Sequence, residues 1–340
     1  MKLYQSLLGL ALLCASPAST SPIADLGSRE SSELQTRQSD KGYTDYVFAH
    51  FVGEGYNGEQ IYLDVSSNNN PGTGWTQANG GSPKLISNVG TRGVRDPSMI
   101  RSQYDPSIVW IIATDLCTYC NGGKYDTETG SKSIVIWESR DGMRTWSSAR
   151  LAQLSPSNAG MTWAPDAIWD PEKNQYMVTW TCNLKGEGWF IMRSWTYDFK
   201  AFSPAEKFLT GAGMDVTIWR DPSSGNYYRI SKNGPNELIE QAVAPSLCTN
   251  CWRVVKNQIG SGAIPKGEGP LLFPDNVYSS TWHLWIDDYS RGGGYVPFDT
   301  NNLAAGDWVR APSWYQMPQR PRHGYVMGIT AQERKNILGQ

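Results

Sequence analysis

Four acidic residues, Asp96, Asp166, Asp215 and Glu268, each stand just ahead of a short apolar segment that runs into a polar turn and then an aromatic segment. The intervals between them are 70, 49 and 53 residues, too long for one element but regular enough for a repeat. If successive repeats place the same position on one ring around an axis, these distant carboxyls converge. Crowded carboxylates repel, so at least one is expected to hold its proton more tightly. Carboxyls with separated pKa values are what general acid–base chemistry requires. Cleavage of a glycosidic bond uses such a set: a protonated carboxyl serves the leaving oxygen and an ionised one activates water. Inversion needs the pair roughly 6.5–9.5 Å apart and retention about 5–5.5 Å. An Asp before Pro is otherwise a common turn opener, as at Asp105-Pro106, Asp170-Pro171 and Asp221-Pro222. The four leading acids differ in preceding a strand instead of lying in its turn.

The elements that must carry these acids show a second, interleaved pattern: an apolar strand, a polar turn, then usually Trp. It occurs at 61–75, 134–146, 190–202, 238–252 and 295–308. Each copy pairs with an inner hairpin to make a four-stranded unit of about 50 residues, the size of a propeller blade. The predicted fold is therefore all-β, a five-bladed β-propeller over residues 43–340. Only four inner hairpins are complete. The fifth is expected from the chain ends, with 324–330 and 46–52 sharing one sheet and leaving few exposed edges. The only helix expected to exceed a turn or two is 331–338.

Four strings, Gly90-Thr-Arg-Gly-Val-Arg-Asp96-Pro97, Thr162-Trp163-Ala164-Pro165-Asp166, Gly213-Met214-Asp215 and Gly267-Glu268-Gly269-Pro270, resemble glycoside hydrolase family 43. The match is to its exo-acting α-1,5-L-arabinofuranosidase branch and covers about residues 43–340. The resemblance implies a five-bladed propeller that inverts the anomeric centre. It implies Asp96 as general base, Glu268 as general acid, and Asp215 as the carboxylate that orients the acid and tunes its pKa. The chain has Asp215-Val216 where the family often has Asp-Pro. Asp166 is left a supporting or sugar-binding role. His323, in Arg320-Pro-Arg-His323-Gly, matches a histidine near the axis on the last blade and is expected to hold a water or a structural cation such as Ca²⁺. No organic cofactor is implied.

The residues themselves agree with these roles. Glu268 lies between glycines, which allow close approach of a bulky ligand. Trp163, at the blade end that carries Asp166, is a candidate to stack on a sugar ring or to pack between blades, and Trp189 and Tyr289 share that choice. Arg322 is a candidate to bind sugar hydroxyls or brace a carboxylate, with Arg95 second to it. Glu54 and Glu59 are expected near the rim. On the same scaffold β-xylosidase, endo-arabinanase and xylan-debranching activities stay open. Fructan hydrolases share Arg95-Asp96-Pro97 but need an N-terminal nucleophile string that is missing. Sialidases share a turn like Ser139-Arg-Asp141-Gly-Met-Arg-Thr-Trp146 but need an arginine triad. A non-catalytic glycan-binding propeller would keep the tryptophans without the axial acids.

Composition limits the rest. The 340 residues carry a net charge of −2 and no basic block, so nucleic acid and anionic membranes lack their electrostatic partner. The expected partner is plant cell-wall polysaccharide (arabinan or arabino-oligosaccharides), bound by a monomer. Lys2 and the apolar run 7–14 read as a secretory signal over 1–20, which implies an extracellular protein; 21–42 reads as a propeptide or flexible arm. That apolar run is too short to span a bilayer, and no second long apolar run exists. Outside the signal, Cys117-x-x-Cys120 and Cys248-x-x-Cys251 are expected as local disulfides, with Cys182 left over and buried.

Overall fold

The structure, a computed structural model, describes residues 42–53, 55–211, 213–233 and 237–340. The expected signal (1–20), all but the last residue of the expected arm (21–42) and Glu54 lie outside the described residues.

Among the described residues, twenty strands form five antiparallel four-stranded sheets. Blade I takes β1 (Tyr43–Phe51), β2 (Tyr62–Ser66), β3 (Trp75–Gln77) and, as its innermost strand, β20 (Arg322–Thr330). Blade II runs β4 (Val94–Arg101), β5 (Val109–Asp115), β6 (Ser133–Ser139) and β7 (Arg150–Gln153) from the axis outward. Blade III follows with β8 (Trp163–Asp170), β9 (Gln175–Leu184), β10 (Gly188–Thr196) and β11 (Glu206–Thr210). Blade IV has β12 (Met214–Arg220), β13 (Tyr227–Asn233), β14 (Leu238–Ala244) and β15 (Arg253–Ile259). Blade V has β16 (Glu268–Pro274), β17 (Trp282–Asp287), β18 (Tyr295–Thr300) and β19 (Val309–Arg310). The inner strands β4, β8, β12, β16 and β20 neighbour one another in a closed ring. The fold is the predicted five-bladed β-propeller, closed by pairing of β1 with β20 from Tyr43↔Thr330 to Phe51↔Arg322.

Local chemistry explains the repeat. The inner hairpins of blades II to V turn on Asp105, Asp170, Asp221 and Asp275, each accepting from the backbone N–H two residues on, at 2.9, 3.0, 3.0 and 2.7 Å. A carboxylate that satisfies its own turn this way fixes the hairpin without help from other blades. Blades pack face to face, so both faces of their middle strands are apolar; every residue of β5 is buried. Five apolar clusters occupy the five gaps between neighbouring blades. In the gap that closes the ring, Phe48 of blade I meets Trp285 of blade V edge-on at 5.5 Å, and both are fully buried. Burying each such side chain contributes about 1.5–3 kcal/mol, so closure rests on the core as well as on strand pairing.

The expected C-terminal helix is α1 (Ala331–Leu338), capped by Thr330 with Glu333 in a capping box. Glu333 also pairs with Arg101 at the end of β4, and Asn336 donates to Gly142 O at 2.9 Å. The helix thereby ties β20 to blade II across the closure. Cys117–Cys120 and Cys248–Cys251 are disulfides, and Cys182 is free and buried.

Candidate active site

Each inner strand of blades II to V breaks its ladder once, near the start. The irregularities fall between Arg95 and Ser98, Trp163 and Asp166, Met214 and Thr217, and Glu268 and Leu271. The residue after the last paired position has positive φ in all four blades: Asp96 (49°), Ala164 (48°), Asp215 (55°) and Gly269 (50°). A left-handed residue of this kind costs about 1–3 kcal/mol unless it is Gly, and such strain gathers at functional sites. The shared bulge defines the repeat register, and it corrects the one read from sequence. Only Asp96 and Asp215 hold the same position. Glu268 lies one residue earlier, in a ring with Arg95, Trp163 and Met214, and Arg322 joins that ring from blade I, next to the unpaired His323. Asp166 lies two residues later, level with Ser98 and Thr217.

That offset separates Asp166 from the other acids. It accepts from Ser98 Oγ at 2.6 Å and is buried, one step further along the channel. Burial pushes its pKa up, against hydrogen bonds from Ser98 and Thr217. Its carboxyl joins neighbouring inner strands, which is the supporting placement among the two roles expected for Asp166.

The remaining groups meet at one mouth of the channel. His323 Nδ1 lies 3.5 Å from Asp96 Oδ1, and Thr114 Oγ1 donates to Asp96 Oδ2 at 2.9 Å. A Cβ on Gly269 would stand 2.6 Å from the His323 ring, so only glycine lets that ring lie between blades V and II. The Gly269 N–H donates to Asp215 Oδ2 at 2.9 Å, which puts Asp215 directly beside Glu268. Glu268 itself is held on both oxygens, by Arg322 Nη2 at 2.9 Å and Lys232 Nζ at 3.2 Å. Arg322 Nε donates in turn to Asp287 Oδ2 at 2.7 Å. The Asp96 and Glu268 side chains keep 19% and 25% of their surface, so both stay open to a ligand.

The environments drive these carboxyls apart. Burial alone would raise Asp96, but the hydrogen bond and charge of His323, with Arg95 and Thr114, outweigh it and hold Asp96 below the usual range. Burial raises Glu268, the Asp215 charge raises it further, and Lys232 and Arg322 only partly offset this. Burial likewise lifts Asp287 to about 6 against the pull of Arg322. His323 moves against its burial: the Asp96 hydrogen bond and the charges of Asp215, Asp96 and Glu268 raise it to about 9. An imidazolium has no free lone pair and already supplies positive charge. Among the described residues no group of three or more His, Cys, Asp or Glu is arranged to hold a metal ion.

The aromatic candidates divide. Trp163 stands on the mouth ring between Tyr125 at 6.2 Å and Trp189 at 6.3 Å, and Tyr125 and Trp189 are half exposed. Tyr289 instead lies over the Lys232 ammonium at 4.5 Å and reaches Glu237 through its hydroxyl. Arg95 is buried against the Phe51 and Tyr125 rings and does not reach the mouth. Glu59, expected at the rim, is buried and accepts from Thr118 and Tyr119, anchoring the Cys117–Cys120 loop.

Five residues missed by sequence reading sit on second strands. Thr114, Thr181, Lys232, Asp287 and Phe51 lie opposite Arg95, Trp163, Met214, Glu268 and Arg322. Each serves the following blade. Thr114 accepts from Ala164 N at 2.7 Å, and Thr181 from Asp215 N at 3.3 Å. Lys232 binds Glu268, Asp287 binds Arg322, and the Phe51 ring carries Arg95 at 4.6 Å. The one available signal was distance from the leading acid along each hairpin, which no motif marks.

The sequence model of a family described as "Probable glycosyl hydrolase domain", related to family 43, matches residues 41–335. A curated α-L-arabinofuranosidase of Bifidobacterium longum is 30% identical over 213 residues, 56% of this chain. The chain spans only about a fifth (20%) of that relative's length. A β-fructofuranosidase structure from Schwanniomyces occidentalis has a TM-score of 0.51 at 12% identity, covering 67% of this chain and 47% of that one, a likeness of fold alone. The catalytic domain of a Coprinopsis cinerea family 62 α-L-arabinofuranosidase has a TM-score of 0.44 at 14% identity over 64% of this chain and 67% of that one.

Proposed function

The chain belongs to this family of glycosyl hydrolase domains related to family 43, and from that premise we propose that it is a secreted, inverting glycoside hydrolase that releases L-arabinose from α-1,5-linked arabinan or arabino-oligosaccharides. The observation that carries the reading is that Asp96 and Glu268 face one mouth, on either side of the His323 ring, with pKa values displaced in opposite directions.

In this mechanism Glu268 gives its proton to the glycosidic oxygen as the C1–O bond breaks. Asp96 takes a proton from the water whose oxygen bonds to C1 on the opposite face. The proton gained by Asp96 leaves to solvent and Glu268 is reprotonated from solvent, which restores both groups. Asp215 sits against the Gly269 amide and keeps Glu268 protonated by its charge. His323 keeps Asp96 ionised. Trp163 offers an apolar face to the sugar, and Arg322 fixes the acid's carboxyl. No organic cofactor enters any step. The arabinoside substrate is supported by the named relative, and an extracellular location suits the two disulfides; the enzyme acts on plant wall polysaccharide as a monomer.

Proton NMR in the first minutes of hydrolysis of a linear α-1,5-arabino-oligosaccharide should show the β anomer of L-arabinose first. An initial α product refutes inversion. Absence of arabinose release, with release of pentose from xylan instead, refutes the substrate.

A further inference from the structure

We infer that Lys232 is a positioning residue for the general acid, a charge built into a slot that three of the five blades fill without one. The inference rests on the assignment of Glu268 as the acid.

The slot is the second-strand residue that reaches the next blade's mouth. In blades II and III it holds Thr114 and Thr181, which accept from the backbone amides of Ala164 and Asp215. In blade I it holds Phe51, which packs against Arg95. Blade geometry therefore asks for no charge there. Charge appears only in blades IV and V, and both charged residues converge on Glu268. Lys232 touches Glu268 Oε2 at 3.2 Å, while Asp287 holds Arg322, which touches Oε1 at 2.9 Å.

A buried lysine needs its own support, because removing an ammonium from water is costly unless it is paired. Lys232 keeps only 10% of its side-chain surface. The Tyr289 ring covers its ammonium at 4.5 Å, and the Tyr289 hydroxyl bonds Glu237, which pairs with Lys266. Besides Glu268, the charged and titratable groups acting on it are Asp215 and Tyr289. Lys232 thus fixes one oxygen of Glu268 and makes it a stronger acid than its burial beside Asp215 would allow. That matters most when the leaving group is a sugar alkoxide, which needs full protonation, and least for a good leaving group.

The test compares wild type with Lys232→Met, Lys232→Thr and Lys232→Arg. The Thr variant copies the residue that blades II and III carry in this slot, so loss of folding cannot excuse the result. On arabino-oligosaccharide, K232M and K232T should lose about tenfold to a hundredfold in kcat, with the alkaline limb of kcat/KM moved to higher pH. On 4-nitrophenyl α-L-arabinofuranoside they should lose less than about threefold, and K232R should recover most of the loss. Equal losses on both substrates, or an unmoved limb, overturn the inference. Carboxyl ¹³C NMR of Glu268, assigned with E268Q, decides it without turnover: the titration should move up in K232M, and an unmoved titration overturns it. A wild type that cleaves neither arabinoside sinks the substrate reading alone, because the titration still rules on Lys232.

Discussion

Blades III and V bring the same backbone to the channel mouth and put opposite chemistry on it. Both carry a small residue at the left-handed bulge, Ala164 in one and Gly269 in the other. Both hold the ring position just before it, Trp163 and Glu268. Behind Trp163 stands the hydroxyl of Thr181; behind Glu268 stands the Asp287 carboxylate, buried and with Oδ1 lacking a hydrogen-bond partner. Blade III thus shows a neutral aromatic wall and blade V a charged lattice through Lys232, Arg322 and Asp287. A propeller makes one backbone position five times, and side-chain choice alone divides the mouth into a neutral aromatic side and a charged side.

The largest effect should come from the charged side. E268Q and D96N should each lower kcat on arabino-oligosaccharide by about 10²–10⁴, while calorimetric binding of the same oligosaccharide persists. Retention of near wild-type turnover by either variant would dissolve the contrast between the blades, and binding with no wild-type turnover would make the protein a lectin.

The next effect lies at the bridge between the charged groups. His323 has a folded pKa of about 9 against 6.5 for the free residue, so its contribution to stability is complete below about 6.5 and disappears as pH rises through about 9. The shift corresponds to about 3 kcal/mol. Thermal melts from pH 6 to pH 10 should fall more steeply in wild type than in His323→Gln, and parallel curves would mean that His323 carries no such charge.

The smallest effect belongs to the neutral side. Trp163→Ala should raise KM several-fold, on the order of 0.5–1.5 kcal/mol for a lost stacking face, with kcat nearly unchanged. A kcat loss matching that of E268Q would show that Trp163 belongs to the chemistry instead.

Much of this was legible in the sequence, because hairpin turns and strand patterning are local. Asp105, Asp170 and Asp221 announce turns that they close with their own side chains. The closing pair β1 and β20 was readable as two half-hairpins that needed each other. The ring register was not readable, since it depends on backbone conformation. Asp166 follows Trp-Ala-Pro much as Asp96 follows Gly-Val-Arg, yet the residue at the bulge is Ala164, two positions earlier. Lys232 and Asp287 were missed because each acts on the blade after its own, and nothing local marks a residue whose partner is 36 or 35 positions away.

The central claim is that the mouth holds one carboxyl ionised and another protonated at the same pH. The pH dependence of kcat/KM on arabino-oligosaccharide tests this most directly. A bell is expected, with its acid limb below the ordinary aspartate value, set by Asp96, and its alkaline limb above the ordinary glutamate value, set by Glu268. A profile with a single limb, or with both limbs inside the ordinary carboxylate range, would contradict it.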